Sequence, residues 1–141
     1  MKQIEHQRRI TVSDNDLNGF GALRLDHLIR WLEETEYEFL RSRQLSVSLN
    51  DERGQFGFPR LDTKVELLSW PVVDNQLEVW LSLDHVSFKK LHYTFEVRRL
   101  PEHAATVAIA YGSYSAACCR FPAGQLPFPI LIPDWVLERL R

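Results

Sequence analysis

The chain has 141 residues, 45% of them hydrophobic, and a formal net charge of −2. This length and apolar content suit one compact domain, so we expect a single domain over residues 1–141. The small net charge gives no electrostatic reason to expect binding to nucleic acid or to an anionic membrane surface. Residues 1–9 contain no apolar run typical of a secretory signal, and no segment is long and apolar enough to span a bilayer.

The cysteines and histidines argue against a disulfide framework and against a zinc site. The only two cysteines, Cys118 and Cys119, are adjacent, and neighbouring residues rarely form a disulfide with each other. The five histidines are scattered, with no pair four residues apart on one helix. We therefore expect reduced thiols, no metal, no cofactor and a cytoplasmic location.

The first half of the chain predicts a strand, a loop and a long helix. Ile10 and Val12 alternate within a strand over residues 7–13, and an acidic loop follows. Apolar residues at a spacing of three to four then predict a helix over residues 25–43. Glu36 falls on the apolar stripe of this helix, where a carboxylate needs a partner or water. The residues that form the stripe are Leu25, Leu28, Ile29, Leu32, Phe39 and Leu40.

The second half predicts an antiparallel sheet and a short closing helix. Alternating apolar residues predict strands over residues 62–70, 76–84, 91–98 and 106–121, and a short helix is predicted over 134–140. One strand, a long apolar helix and four further strands in a meander define an α+β domain, with a curved sheet wrapped around the helix. The last strand is apolar on both faces, which predicts that a second copy of the chain covers it.

A cluster of carboxylates and amides separates the first strand from the long helix: Asp14-Asn15-Asp16-Leu17-Asn18-Gly19. Such a cluster can bind a metal, supply a catalytic carboxylate or turn the chain. The cluster fits positions one, three, five and six of an EF-hand calcium loop. However, position twelve is Leu25 instead of glutamate, and a strand precedes the cluster. This disfavours calcium binding and leaves catalysis and chain turning open.

Four stretches together resemble the hotdog-fold thioesterases, specifically the 4-hydroxybenzoyl-CoA thioesterase-like acyl-CoA hydrolases. They are the acidic cluster, the helix text Leu28-Ile29-Arg30-Trp31-Leu32-Glu33-Glu34-Thr35, the hairpin and strand over residues 86–97, and the loop Phe121-Pro122-Ala123-Gly124-Gln125 with its proline-rich tail. The resemblance covers nearly the whole chain. It implies a hotdog fold, a homodimer or homotetramer, and hydrolysis of an acyl-CoA or acyl-carrier-protein thioester.

The resemblance also implies roles for individual residues. The second aspartate of the motif, here Asp16, attacks the thioester or activates water. Amides at the start of the helix, here those of Leu23, Arg24 and Leu25, polarise the thioester carbonyl, as helix N-termini favour a developing oxyanion. Asp14 and Gly19 complete the substrate-binding loop.

The resemblance also implies roles for residues outside the acidic loop. Some hotdog thioesterases take the carboxylate from the helix, which makes Glu33 and Glu34 candidate catalytic residues. Lys89 and Lys90 stand where the family tends to meet the CoA phosphates, with which they would pair by charge.

The loop over residues 20–28 departs from the family pattern. It lacks the histidine and asparagines that often follow the glycine, and it is about two residues longer. An arginine that often follows the helix glutamates is replaced by Glu36. These departures motivate two alternatives: a non-catalytic protein that binds an acyl thioester or acts structurally, and a hydroxyacyl-thioester dehydratase that uses His27.

Overall fold

A computed structural model describes residues 4–100 and 107–141. Within these residues, a short 3-10 turn at Asp14–Asp16 lies between the first strand and the long helix. The helices and strands in chain order are β1 (Ile4–Thr11), α1 (Leu25–Ser42), β2 (Ser48–Asp51), β3 (Gly54–Gly57), β4 (Arg60–Leu67), β5 (Gln76–Val86), β6 (Lys90–Arg99), β7 (Val107–Ala117), β8 (Cys119–Arg120), β9 (Phe128–Pro129) and α2 (Asp134–Leu140).

The main sheet is antiparallel and has the strand order β1-β5-β6-β7-β4. Side chains alternate between its faces, so one residue in two along β5 and β6 points toward α1. These inward residues are apolar apart from the hydroxyl of one tyrosine, as the alternating pattern predicts. They are Leu77, Val79, Leu81 and Leu83 on β5, and Leu91, Tyr93, Phe95 and Val97 on β6, and all are buried.

The long helix packs on this sheet and runs antiparallel to β1. Glu34 and Glu38 of α1 form ion pairs with Arg8, and Glu38 also contacts His6. The order of these contacts places the helix N-terminus near Thr11, at the end of β1. The predicted apolar stripe is largely buried: Leu28, Leu32, Phe39 and Leu40 are in the core, whereas the Leu25 side chain is 56% exposed.

The predicted meander is correct for β5–β6–β7 and wrong for β4. The chain after β4 crosses to β5 at the other side of the sheet, and β4 pairs with β7 at the far edge. A glycine permits this pairing, because a Cβ at Gly112 would lie 1.9 Å from the carbonyl oxygen of Lys64. The packing that places β4 at this edge is set by residues far apart in the chain, so local periodicity does not reveal it.

A second, smaller sheet was not predicted from the sequence. It has the order β2-β3-β8-β9, and Glu52 and Arg53 form the turn of its first hairpin. The last long strand, predicted over 106–121, is interrupted at Cys118, and its first residue lies outside the described part of the chain. Both cysteines are free and buried, and burial raises the pKa of the Cys118 thiol to about 12.

None of the helices in the described parts of the chain has the length and apolar character needed to cross a membrane.

Glu36, which the sequence left without a partner, is 3% exposed and faces Arg60 of β4. The Arg60 Nη2 atom lies 3.4 Å from Glu36 Oε1. Burial raises the pKa of Glu36 from 4.5 to about 6, although the Arg60 charge and the nearby Tyr93 and Tyr114 hydroxyls favour the ionised form. An apolar helix face thus carries a carboxylate that is costly to ionise.

This carboxylate should give the free energy of unfolding a distinctive pH dependence. The folded state holds the Glu36 proton more tightly than the unfolded state. The stabilisation that comes from this proton is therefore complete below pH 4.5 and is lost as the pH rises through about 6. The difference between the unfolded and folded pKa values of Glu36 corresponds to about 2 kcal/mol in the free energy of unfolding. Glu36→Gln imitates the protonated side chain and should lack this dependence.

Urea denaturation of both proteins at about pH 4 and about pH 7.5 measures the effect. The stability difference between wild type and Glu36→Gln should shift by about 2 kcal/mol in favour of the variant at the higher pH. The same difference at both pH values would contradict the assignment. Comparing the two proteins cancels the contributions of the other titrating groups.

Candidate active site

The acidic cluster separates into residues that are buried and residues that are exposed. Asp16, the last residue of the 3-10 turn after β1, is 8% exposed, whereas Asp14 and Gly19 are exposed on the same loop. Asn18 shapes the loop, because its Oδ1 accepts hydrogen bonds from the amides of Phe20 and Ala22. The cluster therefore turns the chain through Asn18 and buries one carboxylate, that of Asp16.

Both carboxylate oxygens of Asp16 accept hydrogen bonds. Oδ2 accepts from the Ser13 amide at 2.8 Å and from the Ser13 hydroxyl at 3.1 Å. Oδ1 lies 2.7 Å from Nδ1 of His27 on the first turn of α1. Burial alone would raise the pKa of Asp16, but the hydrogen bonds from His27 and Ser13 outweigh it and hold the pKa below its usual value. Asp16 is therefore ionised at neutral pH.

The ionised carboxylate fixes the proton on His27. A carboxylate can only accept hydrogen bonds, so Nδ1 of His27 is the donor, and in the neutral ring Nε2 is left with a lone pair. The His27 side chain is 12% exposed. A histidine held in this way can accept a proton at Nε2 while the carboxylate stabilises the resulting cation.

The start of α1 provides backbone donors beside this pair. The helix begins at Leu25, and the bridge between Leu17 and Leu23 joins the two arms of the preceding loop. The Arg24 amide donates to the Asp16 carbonyl oxygen at 2.8 Å, so it is already engaged. Of the three amides implied by the resemblance, those of Leu23 and Leu25 are left as candidate donors to a developing oxyanion.

The two helix glutamates point to different sides of α1, and neither is hydrogen-bonded to Asp16. Glu34 forms an ion pair with Arg8 of β1, which engages its carboxylate. Glu33 accepts a hydrogen bond from the Tyr37 hydroxyl at 3.0 Å and lines a cavity on the other flank of the helix. A catalytic role for either glutamate stays a prediction.

Lys89 and Lys90 lie at the opposite end of the sheet from Asp16. Thr11, which leads into the acidic loop, pairs with Gln76 at the start of β5, whereas the lysines follow its last residue. β5 has 11 residues and is therefore roughly 34 Å long, at about 3.4 Å per residue. One chain alone does not bring the lysines to the Asp16 pair, so a shared site needs a second copy.

Lys89 lines a cleft of about 450 Å³ that also contains Arg53 and Arg120. Arg120 pairs with Asp51 at 2.6 Å. Three cations against one carboxylate suit an anionic ligand such as a phosphate. Lys90 is exposed beside this cleft, at the start of β6.

A calcium loop has no structural support in residues 4–100 and 107–141. Within these ranges no group of three histidine, cysteine, aspartate or glutamate side chains is arranged to hold a metal ion. The Asn18 side-chain oxygen, which would be a calcium ligand, accepts two backbone hydrogen bonds, and a strand precedes the loop.

No protein-family model matches the sequence, and no curated protein matches it. Solved structures do match over nearly the whole chain. A 4-hydroxybenzoyl-CoA thioesterase variant with an aspartate-to-asparagine substitution, complexed with 4-hydroxybenzoyl-CoA, gives a TM-score of 0.82 at 12% identity and covers 96% of this chain and 97% of that chain. A 1,4-dihydroxy-2-naphthoyl-CoA thioesterase from Synechocystis gives 0.78 at 15% identity, with coverage of 96% and 95%. A gentisyl-coenzyme A thioesterase gives 0.76 at 13%, with coverage of 96% and 99%.

These comparisons establish the class of protein by its fold. The chain has the hotdog fold, a curved antiparallel sheet around one long helix, as the sequence motifs predicted. More particularly, it has the fold of the 4-hydroxybenzoyl-CoA, 1,4-dihydroxy-2-naphthoyl-CoA and gentisyl-coenzyme A thioesterases.

Proposed function

We propose that this protein hydrolyses an acyl-CoA or acyl-carrier-protein thioester to a free acid and a thiol. The observation that carries the proposal is the Asp16–His27 pair, held at 2.7 Å beside the N-terminus of α1. The thioesterases of the same fold that act on aromatic acyl-CoAs support the reaction type. Our proposal includes His27, which the sequence resemblance did not name among the thioesterase residues, because its Nδ1 lies 2.7 Å from Asp16 Oδ1.

In the proposed reaction, the thioester carbonyl lies against the N-terminus of α1. His27 Nε2 takes a proton from water, and the water oxygen bonds to the carbonyl carbon while Asp16 stabilises the imidazolium. The amides of Leu23 and Leu25 donate to the oxyanion of the tetrahedral intermediate. The carbon–sulfur bond then breaks, and the imidazolium returns its proton to the thiolate. Asp14 and Gly19 belong to the surrounding loop.

The proposed assembly is a homodimer or a homotetramer in the cytoplasm. Lys89 and Lys90 lie at the other end of the sheet from Asp16 of their own chain. The proposed role of these lysines in binding phosphate at the same site therefore requires a second copy. The cytoplasmic location is supported by the two free, buried cysteines, since reduced thiols are typical of that compartment.

The same pair favours a second candidate, the hydration or dehydration of an acyl thioester. That chemistry uses a histidine beside a carboxylate, and His27 and Asp16 provide both. The product distinguishes the two reactions. Hydrolysis releases a free thiol, whereas hydration of an enoyl thioester removes the conjugated double bond and leaves the thioester intact.

A thiol-release assay on a panel of acyl-CoAs tests the proposal. The panel should include short, long and aromatic acyl groups, with crotonyl-CoA followed in parallel by the absorbance of its double bond. We expect thiol release from at least one member. Loss of the crotonyl absorbance without thiol release would support the hydratase instead.

The same assay separates the remaining possibilities. No turnover of any thioester, together with saturable binding of an acyl-CoA, would identify a non-catalytic binding protein. Glu33→Gln and Glu34→Gln should retain most of the activity if the Asp16–His27 pair is catalytic. A loss of activity in either variant with the fold intact would move the catalytic carboxylate to the helix.

A further inference from the structure

Two histidines face each other across the β5–β6 hairpin, on the outer face of the main sheet. His85 of β5 pairs directly with His92 of β6 in the antiparallel register. Leu91 and Tyr93, the neighbours of His92 along β6, are buried in the core. Because side chains alternate along a strand, His92 points away from the core, and His85, directly opposite, points the same way.

The two imidazole rings are separated as two ligands of one metal ion would be. Their centroids lie 5.3 Å apart, and the ring planes are tilted by 34°. A tetrahedral zinc ion with nitrogen bonds of about 2.1 Å holds two imidazole centroids about 5 Å apart. His85 is exposed and His92 is half-buried, so both rings can turn a nitrogen toward a shared ion while the strands stay in place.

The paired strands fix the positions of both histidines. The neighbouring pairs in the register are Leu83 with Tyr93 and Val86 with Leu91. The side chains of Leu83, Tyr93 and Leu91 are buried in the core and anchor the hairpin from its inner face. Ligands held on anchored strands lose little freedom when an ion binds, which favours binding.

Spacing along the sequence does not reveal this pair. His85 and His92 are seven residues apart, and the turn between β5 and β6 brings them together. Histidines four residues apart on one helix, the spacing that the sequence lacks, are a different arrangement. The absence of that helical spacing does not exclude a metal-binding pair across a hairpin.

A bulge in β5 places a carboxylate residue next to the pair. The register shifts between Leu83–Tyr93 and His85–His92, which makes Asp84 the extra residue of a β-bulge. In a bulge two residues of one strand oppose one residue of the other, so Asp84 and His85 both oppose His92. The negative charge of Asp84 favours a cation in this region.

Further charged groups lie on the strands beside His92. Ser115 of β7 pairs with His92 and donates a hydrogen bond to Asp62 of β4 at 2.6 Å. Lys90 is exposed two residues before His92, and its long side chain keeps the ammonium group in water. The surroundings of the pair therefore carry both signs of charge and do not exclude a cation.

We propose that His85 and His92 bind a divalent transition-metal ion, with water in the remaining coordination positions. Imidazole nitrogen is a ligand of Zn²⁺, Ni²⁺ and Cu²⁺, whereas Mg²⁺ and Ca²⁺ prefer oxygen ligands. For a given set of ligands the affinity rises from Ni²⁺ to Cu²⁺ and falls again at Zn²⁺. Cu²⁺ is therefore the ion that we expect to bind most tightly.

This metal site is separate from the Asp16–His27 pair. The loop that carries Asp16 follows Thr11, which pairs with Gln76 at the start of β5. His85 is nine residues further along β5, roughly 30 Å away at about 3.4 Å per residue. Metal binding does not depend on thioester hydrolysis, and a chain without hydrolase activity would still bind the ion.

Calorimetric titration of the metal-free, untagged protein at about pH 7.5 tests the proposal, with Cu²⁺, Ni²⁺, Zn²⁺ and Mg²⁺ as the probes. We expect one Cu²⁺ ion to bind per chain, more tightly than Ni²⁺ or Zn²⁺, and no saturable heat with Mg²⁺. In NMR spectra of the wild-type protein, Zn²⁺ should shift the ring resonances of His85 and His92 together.

Single variants localise the ion. His85→Gln and His92→Gln each leave one imidazole, so the dissociation constant for Zn²⁺ should rise about 100-fold, because two linked ligands bind far more tightly than one. His6→Gln and His27→Gln are the matched controls, since each removes a histidine paired with a carboxylate. Their dissociation constants for Zn²⁺ should equal that of the wild type. Circular dichroism verifies that each variant is folded.

Several results would overturn the inference. Wild-type affinity in His85→Gln and His92→Gln would place the ion elsewhere on the protein. Equal binding of Mg²⁺ and Zn²⁺ would assign the binding to carboxylates, and no saturable binding of Cu²⁺ or Zn²⁺ would leave the pair as a packing contact. NMR shifts at His27 instead of His85 and His92 would also contradict the site, and this measurement on the wild type is decisive even if a variant fails to fold.

Discussion

Asp16→Asn should lower kcat/KM for thioester hydrolysis by about 10³-fold while leaving the fold intact. Asparagine has nearly the shape of aspartate, but it carries no charge to stabilise an imidazolium. It can also present its NH₂ group to His27 Nδ1, which would place the proton on Nε2 and remove the base. The Asp16 carboxylate is 2.7 Å from that nitrogen, so the loss should be direct.

Asp134→Asn is the matched control, because it makes the same substitution at an exposed position on α2. Its kcat/KM should stay within about threefold of wild type, as no reacting group depends on the Asp134 charge. Thiol release from the best acyl-CoA, with circular dichroism to verify folding, measures both variants. Full activity in folded Asp16→Asn would exclude Asp16 from the catalytic machinery.

Gly112→Ala should destabilise the protein by about 3 kcal/mol, the upper part of the range for overpacking. The new Cβ would lie 1.9 Å from the Lys64 carbonyl oxygen of β4 and 2.8 Å from Phe95 Cζ of β6. The backbone of the paired strand cannot move away without weakening the β4–β7 ladder. In this variant the pairing of the edge strand β4 with β7 should therefore be the first part of the main sheet to break.

Urea denaturation followed by far-UV circular dichroism measures this loss. Gly19→Ala provides the control, since a Cβ at Gly19 would have no neighbour within 4 Å. Its unfolding free energy should stay within about 0.5 kcal/mol of wild type, as is usual for exposed positions. Equal stability of Gly112→Ala and wild type would show that β4 does not approach β7 as closely as the structure places it.

Much of the fold could be predicted from local patterns because local spacing determines which side chains share a face. The helix expected over residues 25–43 is Leu25–Ser42, and the closing helix is Asp134–Leu140, as expected. The alternation in β5 and β6 identified their buried faces for the same reason. The hotdog fold followed from these elements and from the resemblance.

Long-range pairings could not be predicted in this way. The position of β4 at the far edge of the sheet depends on its close approach to Gly112 of β7, about 50 residues further along the chain. The β2–β3 hairpin has strands of only 4 residues and a polar turn, so its sequence is similar to that of a loop. Arg60, the partner of Glu36, lies on another element, and no local spacing connects the two residues.

The candidate site was predicted in part. The acidic motif drew attention to Asp16, and the structure places it as a buried carboxylate beside the start of α1. From the sequence, His27 was a candidate only in the dehydratase alternative. Their contact depends on the loop between them turning back through the Leu17–Leu23 bridge. A histidine on the first turn of a helix that follows an acidic loop is the signal that would have indicated the pair.

The position of Lys89 and Lys90 at the far end of the sheet from Asp16 has a genetic consequence. If two copies complete each proposed site, each site takes its acid–base pair from one chain and its phosphate contacts from the other. An allele that lacks the Asp16 carboxylate and an allele that lacks both lysines would then damage different halves of the site. Expressed together, they would assemble mixed dimers with one intact site, so two inactive alleles would complement each other in the same cell.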